Sequence, residues 1–277
     1  MKTLSLGYSP CPNDTFIFYA LTHGRIATPG FSVAEQLADV ETLNQLAIDG
    51  QLDLTKISYH ALGHLRDRYV LLHSGGALGR GCGPLVIAPE KTSMQALHGK
   101  RIAVPGKLTT ANLLLQLYGT GFDNLLVVPF DQIMPSLNRG EADAGVIIHE
   151  SRFTYRESGF HEILDLGAWW ESDTGLPIPL GGILARRDLG SETIRAVDEA
   201  IRASLEYARE HASEPRGYIR DHAQELDDQV IDAHIDLYVN AFTLDLGEQG
   251  VAAVKTLLGR AEERGLIPAC SKPLFIE

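Results

Sequence analysis

His149 ends the apolar run 142–148 and is followed at once by Glu150. An imidazole with an ordinary pKa near ~6.5 suits proton transfer at neutral pH. At the carboxyl end of a buried strand it would face a ligand crevice. A histidine that only satisfies a core carbonyl is the plainer alternative. Glu150 could orient the ring, but neighbours on an extended strand leave it on opposite faces, which argues against the pair. Thr109 and Thr110 follow a short apolar strand, 102–104, and a Pro105-Gly106 turn, and they open a helix. Leftover N–H groups and the positive end of the helix dipole favour an anion there, with the hydroxyls as added donors. An ordinary N-cap is the alternative. Lys56, Ile57 and Ser58 close another strand, where the N–H and hydroxyl of Ser58 could hold a ligand oxygen. Ser9, Asn13 and Asp14 stand in the matching place after the first strand, and turn or cap chemistry is their plain reading.

Other motifs carry less. The stretch 74–83 is rich in glycine but matches neither dinucleotide nor P-loop spacing, so a flexible bend or close backbone approach is expected. His60 and His64 lie one helical turn apart without an identifiable third ligand. Trp169-Trp170 could wall a flat ligand or pack between lobes. No G-x-S-x-G elbow is present. Cys11, Cys82 and Cys270 form no C-x-x-C pair, which argues against a disulfide scaffold or a cysteine zinc site. No metal is expected.

The elements that would position these residues alternate. Leu4, Leu6 and Tyr8 alternate with small or polar residues as in a strand, and a helix over 15–22 follows, with Asn13 or Asp14 able to cap it. Strands are expected at 31–37, 52–57, 69–72 and 85–88, with a helix over 40–48 and Ser58 able to cap another. The pattern restarts near residue 97: strand 102–104, helix to 118, strand 125–128, a helix that Asp131 can cap, strand 142–148. An extended passage over 177–184 leads to a helical tail. There Ile194, Val197, Ile201 and Leu205 share one face, Val230, Ile231, His234, Ile235 and Tyr238 a second, and Val251, Val254, Leu257 and Leu258 a third, closing near Gly265. Gly50 and Gly140 each precede an aspartate three residues on and then a strand with a polar exit, Ser58 or His149, a weak internal echo. The expectation is an α/β protein of two lobes with mixed, mostly parallel sheets. Residues 1–88 with 183–277 would form lobe 1, and 89–182 an inserted lobe 2, with the ligand cleft between them.

The chain has 277 residues, 24 basic and 36 acidic, for a net charge of −12. Such a balance without a basic cluster disfavours nucleic acid and anionic membranes as partners. No run approaches a membrane span, and the N-terminus lacks the apolar core of a secretory signal, so a reducing cytoplasm is expected. The sequence does not specify an oligomeric state.

Several blocks together carry a resemblance. They are Ser9-Pro10-Cys11-Pro12-Asn13-Asp14-Thr15-Phe16, Leu54 to Tyr59, Ser74 to Pro84, Gly145 to Thr154 with His149-Glu150-Ser151-Arg152, Asp165 to Trp170, and Tyr238 to Phe242. In these blocks the chain closely resembles the 1,4-dihydroxy-6-naphthoate synthases of the futalosine route to menaquinone, from near its first residue to near its last. The resemblance implies a periplasmic-binding-protein type II-like fold working in the cytoplasm without cofactor. It implies a small carboxylate substrate, cyclic dehypoxanthine futalosine, split to the naphthoate and a sugar-derived fragment. By position it makes His149 the proton acceptor and Lys56, Ile57, Ser58, Thr109 and Thr110 substrate contacts, with Ser9 and Asn13 beside them. A chorismate dehydratase of the same pathway and a non-catalytic solute-binding protein are the alternatives on such a fold.

Overall fold

The structure is a computed structural model that describes residues 2–223 and 227–276. The chain builds one sheet, leaves it to build a second, and returns. The first leg contains β1 (Lys2–Tyr8), β2 (Phe31–Leu37), β3 (Leu54–Ser58), β4 (Tyr69–Leu71) and β5 (Ala77–Gly79). The second contains β6 (Leu85–Ala88), β7 (Ile102–Val104), β8 (Leu125–Val127), β9 (Ala144–Ile147) and β10 (His161–Asp165), and β11 (Ile178–Arg186) runs back. The first sheet has the order β2-β1-β3-β11-β4 with β5 also on β11, and the second β10-β6-β9-β7-β8.

Both sheets are mixed. β1 lies parallel to β2 and β3, and β7 parallel to β8 and β9. The remaining ladders, those of β11 with β3, β4 and β5 and of β6 with β9 and β10, are antiparallel. Parallel pairing therefore does not dominate as expected. β6 and β11 are the strands that arrive from the other half of the molecule, and they enter without the helical crossover that parallel neighbours need. For the same reason 85–88 is a strand of the second sheet, not the end of the first lobe, and 178–182 already belongs to the first sheet. Apolar composition alone cannot say which sheet a short strand joins.

Packing follows the apolar stripes. Ile194, Val197, Ile201 and Leu205 are buried on one face of the helix Ser191–Glu210 and join Leu4, Leu6 and Phe18 in one cluster. Ser204 ties that helix to Pro12–Thr22, donating to Ile17 O at 2.7 Å and accepting from Leu21 N at 3.0 Å. The helix Gly247–Glu263 buries Val254, Leu257 and Leu258 in a cluster that also holds Ile57, Val86, Ile102 and Trp170, so one apolar core spans both sheets. Gly265, at φ +67°, ends that helix in the left-handed conformation.

Local differences have local causes. Helix Pro12–Thr22 starts at Pro12, with Cys11 in the capping position, so Asn13 and Asp14 lie inside its first turn and cap nothing. Ser58 and Asp131 make no capping bond either. The glycine-rich bend carries β5, and β10 with the helix Leu166–Thr174 went unread between weak apolar signals. The internal echo is real in geometry. Gly50 and Gly140 are both left-handed, at φ +71° and +68°. Asp53 Oδ2 accepts from Ser5 N at 3.0 Å, and Asp143 Oδ2 from Arg101 N at 2.9 Å. Each aspartate thus holds the parallel neighbour of the strand it opens one residue ahead of where the two strands pair.

Candidate active site

A cleft of about 690 Å³, mouth included, opens between the two sheets. Ser9, Asn13, Asp14, Lys56, Ile57 and Ser58 line it from one side, Thr109, Thr110 and His149 from the other, and Leu180 and Gly181 cross its floor. All nine of these residues, each singled out from the sequence, therefore meet in one place.

The first wall is a fixed hydrogen-bond chain. β3 is buried along its length, and Lys56 reaches from it to Asp14 Oδ1 at 2.7 Å and Gly75 O at 3.4 Å. Asp14 Oδ2 accepts from Ser9 Oγ at 2.8 Å and Ser9 N at 3.2 Å. Asn13 Nδ2 donates to Asp14 Oδ1 at 2.9 Å, and Asn13 Oδ1 faces His234 Nε2 at 3.0 Å. A carboxylate only accepts, so the amide of Asn13 is oriented, and the proton of His234 sits on Nε2. His234 Nδ1 is then a lone pair, buried and without a partner. Burial pushes the pKa of His234 down to about 3, and its ring lines the cleft as a neutral acceptor.

The second wall departs from the expectation in detail. Thr109 caps the helix Thr110–Tyr118, accepting from Asn112 N at 3.3 Å while its hydroxyl donates to Gly106 O at 2.8 Å. Thr110 Oγ1 donates to Leu180 O at 2.5 Å and accepts from Tyr59 N at 2.9 Å, joining the two halves. Both hydroxyl protons are thus engaged, and the groups left for an anion are the first N–H groups of the helix. Ser58 N is also taken, donating to Asn44 Oδ1 at 3.0 Å, while Ser58 Oγ accepts from Asn44 Nδ2 at 3.2 Å and keeps its own proton to give.

His149 stands at the junction. Its φ of +56° makes it the one non-glycine residue with a left-handed backbone among the described residues. Such strain persists where surroundings over-determine it, and it clusters at functional sites. β9 stops at Ile147, so strand alternation no longer governs positions 149 and 150. Ligand atoms of Cys11, His149 and Glu150 come within 4.8 Å of one another, which reverses the argument made against the His149–Glu150 pair. Cys11 Sγ lies 3.6 Å from His149 Nδ1, Phe130 meets the ring edge-on at 5.0 Å, and His234 lies nearly parallel at 6.2 Å. Burial lowers the pKa of His149, against the opposing pull of Glu150, Asp14 and Asp39. Burial drives the Cys11 thiol upward, so it is held protonated.

A seam joins the two halves at Glu41 and residues 106–108. Glu41 accepts from Leu108 N with both oxygens at 3.3 Å and from Asn44 Nδ2 at 3.0 Å. A Cβ on Gly106 would stand 2.5 Å from the Glu41 carboxylate, so only glycine allows this approach. Burial raises the pKa of Glu41.

His234, Cys11, Glu41 and Asn44 were not singled out from the sequence as site residues. His234 sits on an apolar helix face, where a core histidine is the ordinary reading, and only the unpartnered nitrogen marks it. The tryptophans pack: Trp170 is fully buried and donates to Pro177 O at 3.0 Å, and Trp169 meets Tyr118 edge-on. His60 is buried with its pKa pushed down to about 4, its ring 5.6 Å from His64. Arg152 binds Asp165 at 2.7 Å and the carbonyl of Gly83, fastening the segment after His149 to β10.

Two sheets flanking a ligand cleft are the architecture of the periplasmic solute-binding proteins. The alkanesulfonate-binding protein SsuA from Xanthomonas axonopodis pv. citri superposes with a TM-score of 0.72 at 15% identity, covering 97% of this chain and 95% of that one. Protein AF1704 from Archaeoglobus fulgidus superposes with a TM-score of 0.90 at 39% identity, covering 96% and 98%. Residues 4–263 match the family model described as menaquinone biosynthesis, and the chain belongs to that family. It is 58% identical over 276 residues, all of both chains, to the 1,4-dihydroxy-6-naphtoate synthase of Thermus thermophilus. It is 48% identical to the enzyme of the same name from Streptomyces coelicolor, over 96% of this chain and 95% of that one. Among the described residues no helix is long and apolar enough to cross a membrane.

Proposed function

We propose that the chain is a 1,4-dihydroxy-6-naphthoate synthase, a carbon–carbon lyase of menaquinone biosynthesis that acts in the cytoplasm on cyclic dehypoxanthine futalosine. The observation that carries this reading is the neutral, strained His149 at the cleft between the two sheets. Nδ1 is turned to the Cys11 sulfur, which leaves Nε2 as the nitrogen that takes a carbon-bound proton from the sugar-derived part of the substrate. The electrons released break the bond to the bicyclic ring, which aromatises. Aromatisation supplies the driving force, so the residues present have to place the base and steady the developing charge. The substrate carboxylate sits on the first N–H groups of the helix Thr110–Tyr118, and the Ser58 hydroxyl donates to a ring oxygen. Lys56, Asn13 and Ser9 hold the opposite wall, and Ile57 packs against the ring. The lobes close over the substrate and exclude water. Incubating the purified protein with cyclic dehypoxanthine futalosine should yield the naphthoate, seen by mass spectrometry. Recovery of unchanged substrate after saturating incubation would refute the assignment.

His234 has its own part in this reading. Its lone pair at Nδ1 accepts a substrate hydroxyl, and the Lys56–Asp14–Asn13 chain keeps it an acceptor. His234→Gln retains an Nε2 donor toward Asn13 and loses the ring lone pair at the Nδ1 position. It should lower kcat/KM by roughly 5- to 150-fold, the equivalent of about 1–3 kcal/mol, with the melting temperature little changed. A His234→Gln enzyme with the parental kcat/KM would remove the residue from substrate recognition.

A further inference from the structure

Cys11, His149 and Glu150 form a second constellation where the two walls meet, and nothing in the proposed reaction uses it as a unit. We propose that these three residues are a binding site for a thiophilic divalent cation of the zinc class, and that occupancy switches the enzyme off. The inhibitory consequence rests on His149 being the base, whereas the site itself stands on geometry.

The donor set is sulfur, imidazole nitrogen and carboxylate, the set that suits zinc. With Zn–S near ~2.3 Å and Zn–N near ~2.05 Å at tetrahedral angles, the S···N edge of such a site is ~3.6 Å. Cys11 Sγ and His149 Nδ1 are 3.6 Å apart. Glu150 Oε2 is the third donor: it is buried and has no hydrogen-bond partner, an uncommon state for a carboxylate oxygen. All three donor atoms lie within 4.8 Å of one another, and rotation of the Glu150 side chain closes the remainder. The charges that act on His149 are three carboxylates, Glu150, Asp14 and Asp39, against one cation, Lys56, a field that favours a positive guest.

The site has its own approach, adjoining the substrate cleft at Ser9, Val40 and His149. A second cavity of about 470 Å³ reaches the same three residues and is lined by Pro10, Asp39 and Phe130, with the exposed Asp39 at its edge. A cation entering this way meets Nδ1, not the nitrogen that faces substrate. On binding, the thiol gives up its proton to solvent and becomes a thiolate ligand. The imidazole proton moves from Nδ1 to Nε2. The ring is then a metal-bound imidazole whose only other nitrogen carries hydrogen, and it has no lone pair left to act as base. The cation therefore quenches the base without touching the substrate, and it lowers kcat with little effect on KM.

The test uses the intact protein. Titration with Co²⁺ should give one site per chain with thiolate-to-metal charge-transfer absorption, and Zn²⁺ should displace it. Cys11→Ser should abolish that absorption, and Glu150→Gln should weaken binding at least about 10-fold, the smallest loss expected for a group that only supports a metal ligand. In turnover assays saturating Zn²⁺ should lower kcat by about 10²–10⁴-fold, the worth of a general base, reversibly on chelation and with KM within a few-fold. Absence of a charge-transfer band, or Co²⁺ binding that survives both substitutions, overturns the site. A normal titration with inhibition competitive against substrate overturns the separate entry. A normal titration with kcat unmoved overturns the switch and, with it, the role of His149, while leaving the site in place.

Discussion

His149→Asn should lose about 10²–10⁴-fold in kcat while binding substrate within a few-fold of the parent. Asparagine is the replacement of choice because the position is left-handed, at φ +56°, which asparagine tolerates better than alanine or glutamine. The loss then reports chemistry and not a rebuilt backbone. The pH profile gives a second readout. Burial lowers the pKa of His149, so the unprotonated base persists to more acid solution than a free imidazole would allow. The acidic limb of kcat should lie below pH ~6.5, the ordinary histidine value, and vanish from the residual activity of the variant. Parental kcat in the asparagine variant would sink the mechanism, and an acidic limb at or above the ordinary value would sink the account of the electrostatics.

The second large effect is on stability. Lys56 and Asp14 are paired at 2.7 Å with side chains 7% and 2% exposed. Removing one partner strands the other charge in the interior, which costs about 3–5 kcal/mol. Lys56→Met should therefore lower the melting temperature by roughly 6–20 °C in a chain of this size. Removing both charges, as Lys56→Met with Asp14→Asn, should restore most of the loss, because the new amide still accepts from Ser9 and no ion is stranded. Calorimetric melting of the two single variants and the double variant measures the coupling. A Lys56→Met protein within about 1 kcal/mol of the parent would show that the pair contributes little.

The sequence revealed more about where the site lies than about how its atoms are committed. Strand–turn–helix junctions can be read from apolar runs broken by glycine and proline, and four of them carry Ser9, Ser58, Thr109 and His149 to one cleft. The Gly50 and Gly140 echo was legible for the same reason, since a left-handed turn needs glycine. What could not be read is partner choice across distance. The Thr110 hydroxyl is taken by Tyr59 and Leu180, and Ser58 N by Asn44, because those chains meet only after folding. Cys11 and His149 are 138 residues apart in sequence, so no spacing rule could join them. Strand alternation does not govern Glu150 because β9 ends at Ile147 and the left-handed His149 turns the chain. Sheet membership of β6 was lost likewise, since a four-residue apolar strand fits either sheet, and β11 was legible only as an extended passage, which by itself names no sheet.

The seam at Glu41 has a bearing on how molecules come and go. The Glu41 carboxylate bridges the two halves through Leu108 N, so any parting of the halves has to stretch or break that contact. That bridge rests on a single negative charge whose interior setting makes it take up a proton sooner than usual as acidity rises. Protonation removes the charge that Leu108 N and Asn44 Nδ2 now share, so this contact between the halves weakens in acid sooner than an exposed carboxylate's would.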